Sequence, residues 1–200
     1  MTAPWQPLLD WWFGTSESAQ ETVADKGKLW FGKRDSQDLE ARTQFGDWVE
    51  QALAGGLTEW AQRPEGWLAL VLLLDQLPRM IFRDSPKSFS GDLRAQALVA
   101  QGIAADFDRQ LRPIQRVFIY LVFEHCENLA VQNESVSRHI DLLAQQPQAD
   151  QALFADYLNF AEKHQKVIAR FGRFPHRNAV LGRESTAEEL LFLSKPGSRF

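Results

Sequence analysis

Trp67-Leu68-Ala69-Leu70-Val71-Leu72-Leu73-Leu74-Asp75-Gln76-Leu77-Pro78-Arg79 is the stretch whose reading decides the fold. It follows Arg63-Pro64-Glu65, where proline suits the first turn of a helix because its missing N–H would have no helical partner there. A helix that is apolar on every side must be surrounded by others. Pro78 disfavours helical geometry at Leu77, so the helix is expected to end abruptly in the polar cluster at Asp75–Arg79. A second stretch behaves the same way. Val117-Phe118-Ile119-Tyr120-Leu121-Val122-Phe123 is apolar all round, and the run ends in Glu124-His125-Cys126-Glu127-Asn128. Its β-branched and aromatic content would also suit a strand. Its length, and Pro113 as a first-turn residue, favour a buried helix over residues 114–129.

The remaining segments fit around these two. Residues 4–13 read as a short helix stopped by Gly14, and a second segment ends in Leu29-Trp30-Phe31-Gly32. Residues 38–54 place Leu39, Phe45, Trp48, Val49, Ala52 and Leu53 at helical spacing before Gly55-Gly56. Further helices are predicted over residues 92–107, 135–145 and 150–171, the last capped by Gly172. Ser185-Thr186-Ala187-Glu188 leads into a final short helix, 188–193. No hairpin or strand signal stands out. The expected fold is all-α, one domain over residues 1–200 with about eight or nine helices. All seven tryptophans lie between positions 5 and 67. They read as core rather than as a stacking surface, since indole buries much apolar area.

The chain has 200 residues and a formal net charge of −4, which argues against a dedicated nucleic-acid binder. Its longest apolar run is far short of the roughly 20 residues a membrane helix needs, and its start lacks the pattern of a secretory signal. With Cys126 as the sole cysteine, the expectation is a cytoplasmic protein without disulfides or a membrane partner. Against this acidic background, residues 163–183 carry six Lys or Arg and no Asp or Glu. The island centres on Arg170-Phe171-Gly172-Arg173-Phe174-Pro175-His176-Arg177-Asn178. Such an island meets either carboxylates of its own chain or an anionic ligand.

Three segments together resemble the bacterial family known as domain of unknown function 924. They are Leu72-Leu73-Leu74-Asp75-Gln76-Leu77-Pro78-Arg79, Phe123-Glu124-His125-Cys126-Glu127, and the basic turn from Arg170 to Asn178. Leu181-Gly182-Arg183-Glu184-Ser185-Thr186 and the aromatic amino terminus extend the likeness over most of the chain. Cys126 departs from the serine more usual at that place. The resemblance implies an all-helical fold similar to tetratricopeptide superhelices, and no settled activity. The sequence itself shows no repeat of about 34 residues.

Burying the polar ends of two apolar helices is costly unless the charges find partners. Asp75, Glu124 and Glu127 are therefore expected to approach some of Arg79, Arg83, Arg170, Arg173 and Arg177. Two outcomes stay open. The arginines form a structural network, a role that suits the planar guanidinium, or a surplus of them makes a pocket for a phosphate or carboxylate. In the pocket reading Asp75, Arg79, Arg83, Arg170, Arg173, His176, Arg177 and Asn178 bind a small anion or an acidic peptide. An enzymatic reading adds Glu124, His125 and His164 as acid and base. A helical scaffold is the third reading. No cofactor is implied and no metal-ligand spacing occurs; the one conceivable set is His125, His164 and Glu124 across helices.

Overall fold

A computed structural model describes residues 2–198. Among them are nine α-helices and no strand: α1 Gln6–Phe13, α2 Ala19–Phe31, α3 Asp35–Leu53, α4 Pro64–Ile81, α5 Asp92–Ala104, α6 Pro113–Glu124, α7 Leu129–Ala144, α8 Gln151–Phe171 and α9 Ala187–Leu193. The two all-apolar stretches are the centre. Every residue of α4 from Gly66 to Pro78 is buried, with α3, α5 and α6 packed around it. Helix α6 is covered in turn by α5, α7 and α8. The tryptophans pack into this core: the Phe118 ring receives Trp12 at 5.5 Å and Trp30 at 4.8 Å, both edge-on. No helix is long and apolar enough to cross a membrane among the described residues.

Two predicted boundaries are corrected. Helix α4 does not stop before Pro78 but runs through it to Ile81. The ring removes the N–H that would have bonded the Leu74 carbonyl, yet burial on all sides holds the helix together. The backbone of α5's entry comes close at that carbonyl, since a Cβ added to Gly91 would lie 2.1 Å from the Leu74 oxygen. Arginines serve the carbonyls of the last turns: Arg79 donates to the Asp75 oxygen at 2.7 Å, and Arg42 to that of Ile81.

The second correction concerns α6, which ends at Glu124 rather than near residue 129. The Asn128 side chain accepts from the N–H groups of Ala130 and Val131 and starts α7 there, six residues before the predicted Ser135. Gln132, on the new helix, donates to the carbonyls of Glu124 at 2.6 Å and Cys126 at 2.8 Å. That single amide closes the end of α6 and fixes the sharp turn on which Glu124 and His125 sit.

The basic turn leaves α8 as predicted, with Gly172 in the left-handed region at φ 68° and its N–H on the Ile168 carbonyl. Phe174 is fully buried against Val167 and Ile168, which pins the turn to α8. Thr186 and Glu189 form a reciprocal capping box that starts α9 at Ala187, one residue early.

Candidate functional site

Asp75 lies in the last two turns of α4, and the packing that buries the apolar residues buries its carboxylate with them. It survives there because donors converge on it. His125 Nδ1 donates to Oδ1 at 2.7 Å, Gln76 donates to Oδ2 at 2.6 Å, and the Arg79 guanidinium stands 3.1 Å from Oδ1. Burial works against ionisation, but Arg79 and His125 outweigh it and hold this carboxyl well below the usual carboxylate range. Arg79 also makes a two-pronged bond to Asp92 at the start of α5, at 2.9 and 3.0 Å. Arg83 makes the same kind of bond to Asp38 on α3, at 2.8 and 2.7 Å.

Glu124 takes different partners from those expected. No arginine reaches it among the described residues; two histidines do. His139 Nε2 from α7 stands 3.4 Å from Oε1, and His164 Nδ1 from α8 stands 3.2 Å from Oε2. Each of these imidazoles also bonds the backbone carbonyl four residues before it, on Ser135 and Phe160. Burial pushes His139 down to about 4 and His164 to about 3, so both are neutral near pH 7. Burial, and after it the negative charge of Asp75, push Glu124 the opposite way, well above the ordinary value.

The arginines of the basic turn divide into two groups. Arg170 bonds Glu188 at the surface. Arg173 makes a two-pronged bond to Glu189 of α9, which also accepts from Asn178. Glu127 bonds both Arg183 and the Phe174 N–H. Arg170, Arg173 and Asn178 therefore tie the turn to α9 rather than facing the cavity described next. Arg177 differs from them all. It is buried and lies over the Phe174 and Phe89 rings at 4.5 and 4.9 Å. Asp92, already engaged by Arg79, stands 3.6 Å away. Its Nε has no hydrogen-bond partner among the described residues. Burial, and then the like charge of Arg79, push it down to about 10.

These groups meet at a cavity of about 1340 Å³ whose wall includes Arg79, Arg83, Glu124, His125, His164, His176 and Arg177. His176, placed by sequence in an exposed turn, is half-buried and faces this space. Burial and then Arg177 push its imidazole down to about 3. Lys33, Arg34 and Lys163 add positive charge, and Met80, Phe89, Leu121, Leu153 and Phe160 supply apolar wall. Sequence reasoning missed Asp92, Asp38, His139, Glu188 and Glu189 as partners. The capping pattern around Thr186 could have pointed to Glu189; nothing in the sequence separates Asp38 or Asp92 from any other acid at a helix start. No group of three or more His, Cys, Asp or Glu is arranged to hold a metal among the described residues.

Fold and site thus define an all-α protein with a charged cavity at the ends of its two central helices. The chain belongs to the family of bacterial proteins of unknown function called DUF924, which it matches over residues 8–197. The solved structure of a protein of unknown function from Agrobacterium tumefaciens is similar, with a TM-score of 0.78 at 33% identity, covering 95% of this chain and 96% of that one. No curated protein matches.

Proposed function

We propose that this protein binds a small anion carrying an apolar body, a phosphate or carboxylate compound or an acidic peptide end, in the cavity between α4, α6, α8 and the basic turn. Arg177 carries the reading. Four acids that sequence reasoning did not pair, Asp38, Asp92, Glu188 and Glu189, engage the other arginines, while Arg177 stays buried with one shared carboxylate and with no partner for its Nε among the described residues. An anion placed against it would supply the missing charge and acceptor. Arg79, Arg83 and His176 flank it, while Lys33, Arg34 and Lys163 bias the approach. The volume exceeds the roughly 300–1,000 Å³ of common small-molecule sites, which favours an occupant larger than a bare oxyanion. Successive packing of α3 on α4, α6 on α7 and α7 on α8 supports a helical-repeat-like arrangement in one domain. The lone, unpaired Cys126 supports a cytoplasmic setting.

The test is thermal unfolding with inorganic phosphate, phenyl phosphate and octanoate, on the wild type and on Arg177→Met. The two amphipathic anions are expected to stabilise the wild type saturably. Stabilisation is about 2.7 kcal/mol at a hundred times Kd, or roughly 5–10 °C for a chain of this size. Inorganic phosphate should do less, and the variant should lose most of the effect. A flat response to all three at millimolar concentration, or an equal response in Arg177→Met, overturns the proposal in favour of a structural network.

A further inference from the structure

Between Ile114 and Glu124, Leu121 is the one residue of α6 that the core leaves half-open, and it lines the cavity. Its side chain faces that space instead of a neighbouring helix, which forgoes part of the gain from burying it. Val117, one turn earlier, lines the same wall. On α8, Leu153, Tyr157 and Phe160 line it at steps of four and three, so they form one stripe along the helix. The stripe runs on into His164, as that of α6 runs on into His125. At the helical rise of about 1.5 Å per residue, Leu153 lies roughly 16 Å from His164 along α8.

The two stripes reach their polar ends together, since the His125 and His164 rings meet at 6.3 Å. Arg79 and Arg177 stand at the same place. Both approach Asp92, at 2.9 and 3.6 Å, and both lie over the Phe89 ring, at 5.4 and 4.9 Å. The other end is apolar. Trp30, which meets Phe118 at 4.8 Å, lines it with Val117 and Leu153. Asp156 is the one acid that α8 adds to the wall, and it is exposed to water. The wall is therefore divided along its length, cationic where α6 and α8 end and apolar where they begin. Phe31 and Phe160, each more than half exposed, also border the space, with Lys33, Arg34 and Lys163 beside them.

We propose that the ligand is a single-chain lipid anion, a fatty carboxylate or an alkyl phosphate, with its head at Arg177 and Arg79 and its chain along α6 and α8 against Leu121, Tyr157, Leu153 and Trp30. The proposal rests on the anion-binding reading and narrows it. A compact apolar body would leave one end of the stripe uncovered. An acidic peptide would bring backbone N–H and C=O groups against Val117, Leu121 and Leu153, which offer them no partner. A hydrocarbon chain needs none, and it gains from every methylene taken out of water. The exposed Phe31 and Phe160, next to three cations, suit the entry of a molecule that is apolar along its body and anionic at one end.

The test is isothermal titration calorimetry with butyrate, hexanoate, octanoate and decanoate below their micellar concentrations, beside decyl phosphate and decanol. Each added methylene is expected to tighten binding by about fourfold while the chain still fits. Decyl phosphate should bind as decanoate does, and the tighter of the two identifies the head. Decanol, which lacks the charge, and Arg177→Met titrated with decanoate should each bind about tenfold or more weakly, the scale of a lost bond to a charged group. Leu121→Trp, which fills the stripe, should flatten the chain-length series while keeping the affinity for butyrate; the wild-type series stands without that variant. Equal affinity for butyrate and decanoate overturns the lipid assignment and leaves the anion-binding reading standing. Decanol binding as tightly as decanoate, or decanoate binding unchanged in Arg177→Met, overturns the placement of the head and the proposal with it. Binding of none of the anions counts against both readings.

Discussion

Asp75 and His139 do opposite things with burial, and each implies a measurement. Asp75 stays charged because Arg79, His125 and Gln76 all serve it. Removing the carboxylate leaves the His125 and Gln76 donors without their acceptor and takes from Arg79 one of its two acidic partners, Asp92 remaining; losing a hydrogen bond to a charged group costs about 1.5–3 kcal/mol. Asp75→Ala is therefore expected to lower the urea unfolding free energy by that order, far more than Glu188→Ala at the exposed Arg170 pair. His139 is buried neutral, its value falling from 6.5 to about 4. Between those two values the unfolded chain takes up a proton that the folded chain refuses. The contribution is thus complete above about pH 6.5 and lost as pH falls through 4. The full loss is on the order of 3 kcal/mol. His164, down to about 3, acts in the same direction over a lower range. Glu124 runs the other way: its contribution is present below its ordinary value of 4.5 and is lost as pH rises through its raised one. Urea titrations from pH 7 to 4 should show a shallower decline for His139→Gln than for the wild type. Parallel declines would mean that His139 is already protonated in the fold.

At the scale of elements, close backbone approach explains more than helix propensity does. Helix α4 tolerates Pro78 because its surroundings hold it and because α5 begins on glycine beside the freed Leu74 carbonyl. A methyl at Gly91 would have to displace main chain, so Gly91→Ala should destabilise by about 1–3 kcal/mol, as overpacked sites do. A shift in the denaturant midpoint at unchanged slope would register it. Gly102 serves the contact between α5 and α4 in the same way, with the Trp67 indole 2.2 Å from where its Cβ would stand. The capping box of Thr186 and Glu189 both starts α9 and delivers Glu189 to Arg173 and Asn178. Thr186→Ala is expected to cost about 1 kcal/mol.

For the molecule as a whole, the carboxy-terminal region is fastened by polar clamps and by a small apolar cluster apart from the main core. Glu127 is the clamp that joins the turn after α6 to the basic turn, through Arg183 and the Phe174 N–H. Hydrogen exchange in Glu127→Gln should quicken over residues 172–193 while α4 and α6 keep their protection, as expected of a unit that opens locally. Equal loss of protection throughout would show that the region unfolds only with the core.

Much of the fold was legible in residues 67–74 and 117–123, because a segment apolar on every side is consistent with one environment, the middle of a helical stack. Gly172 and the capping pattern at Thr186 were legible for the same local reason. The path of α4 through Pro78 and the end of α6 at Glu124 were not, since packing at Gly91 and the Gln132 amide decided them. The sequence by itself determined the helical class, the buried charges at two helix ends and the basic turn that had to meet something. Only the tertiary structure decided what each charge meets. Asp38, Asp92, Glu188 and Glu189 reach their arginines across 45, 13, 18 and 16 positions. Pairings at such distances follow from how helices pack, which no local pattern encodes. They leave Arg177 beside a cavity with less countercharge than its neighbours.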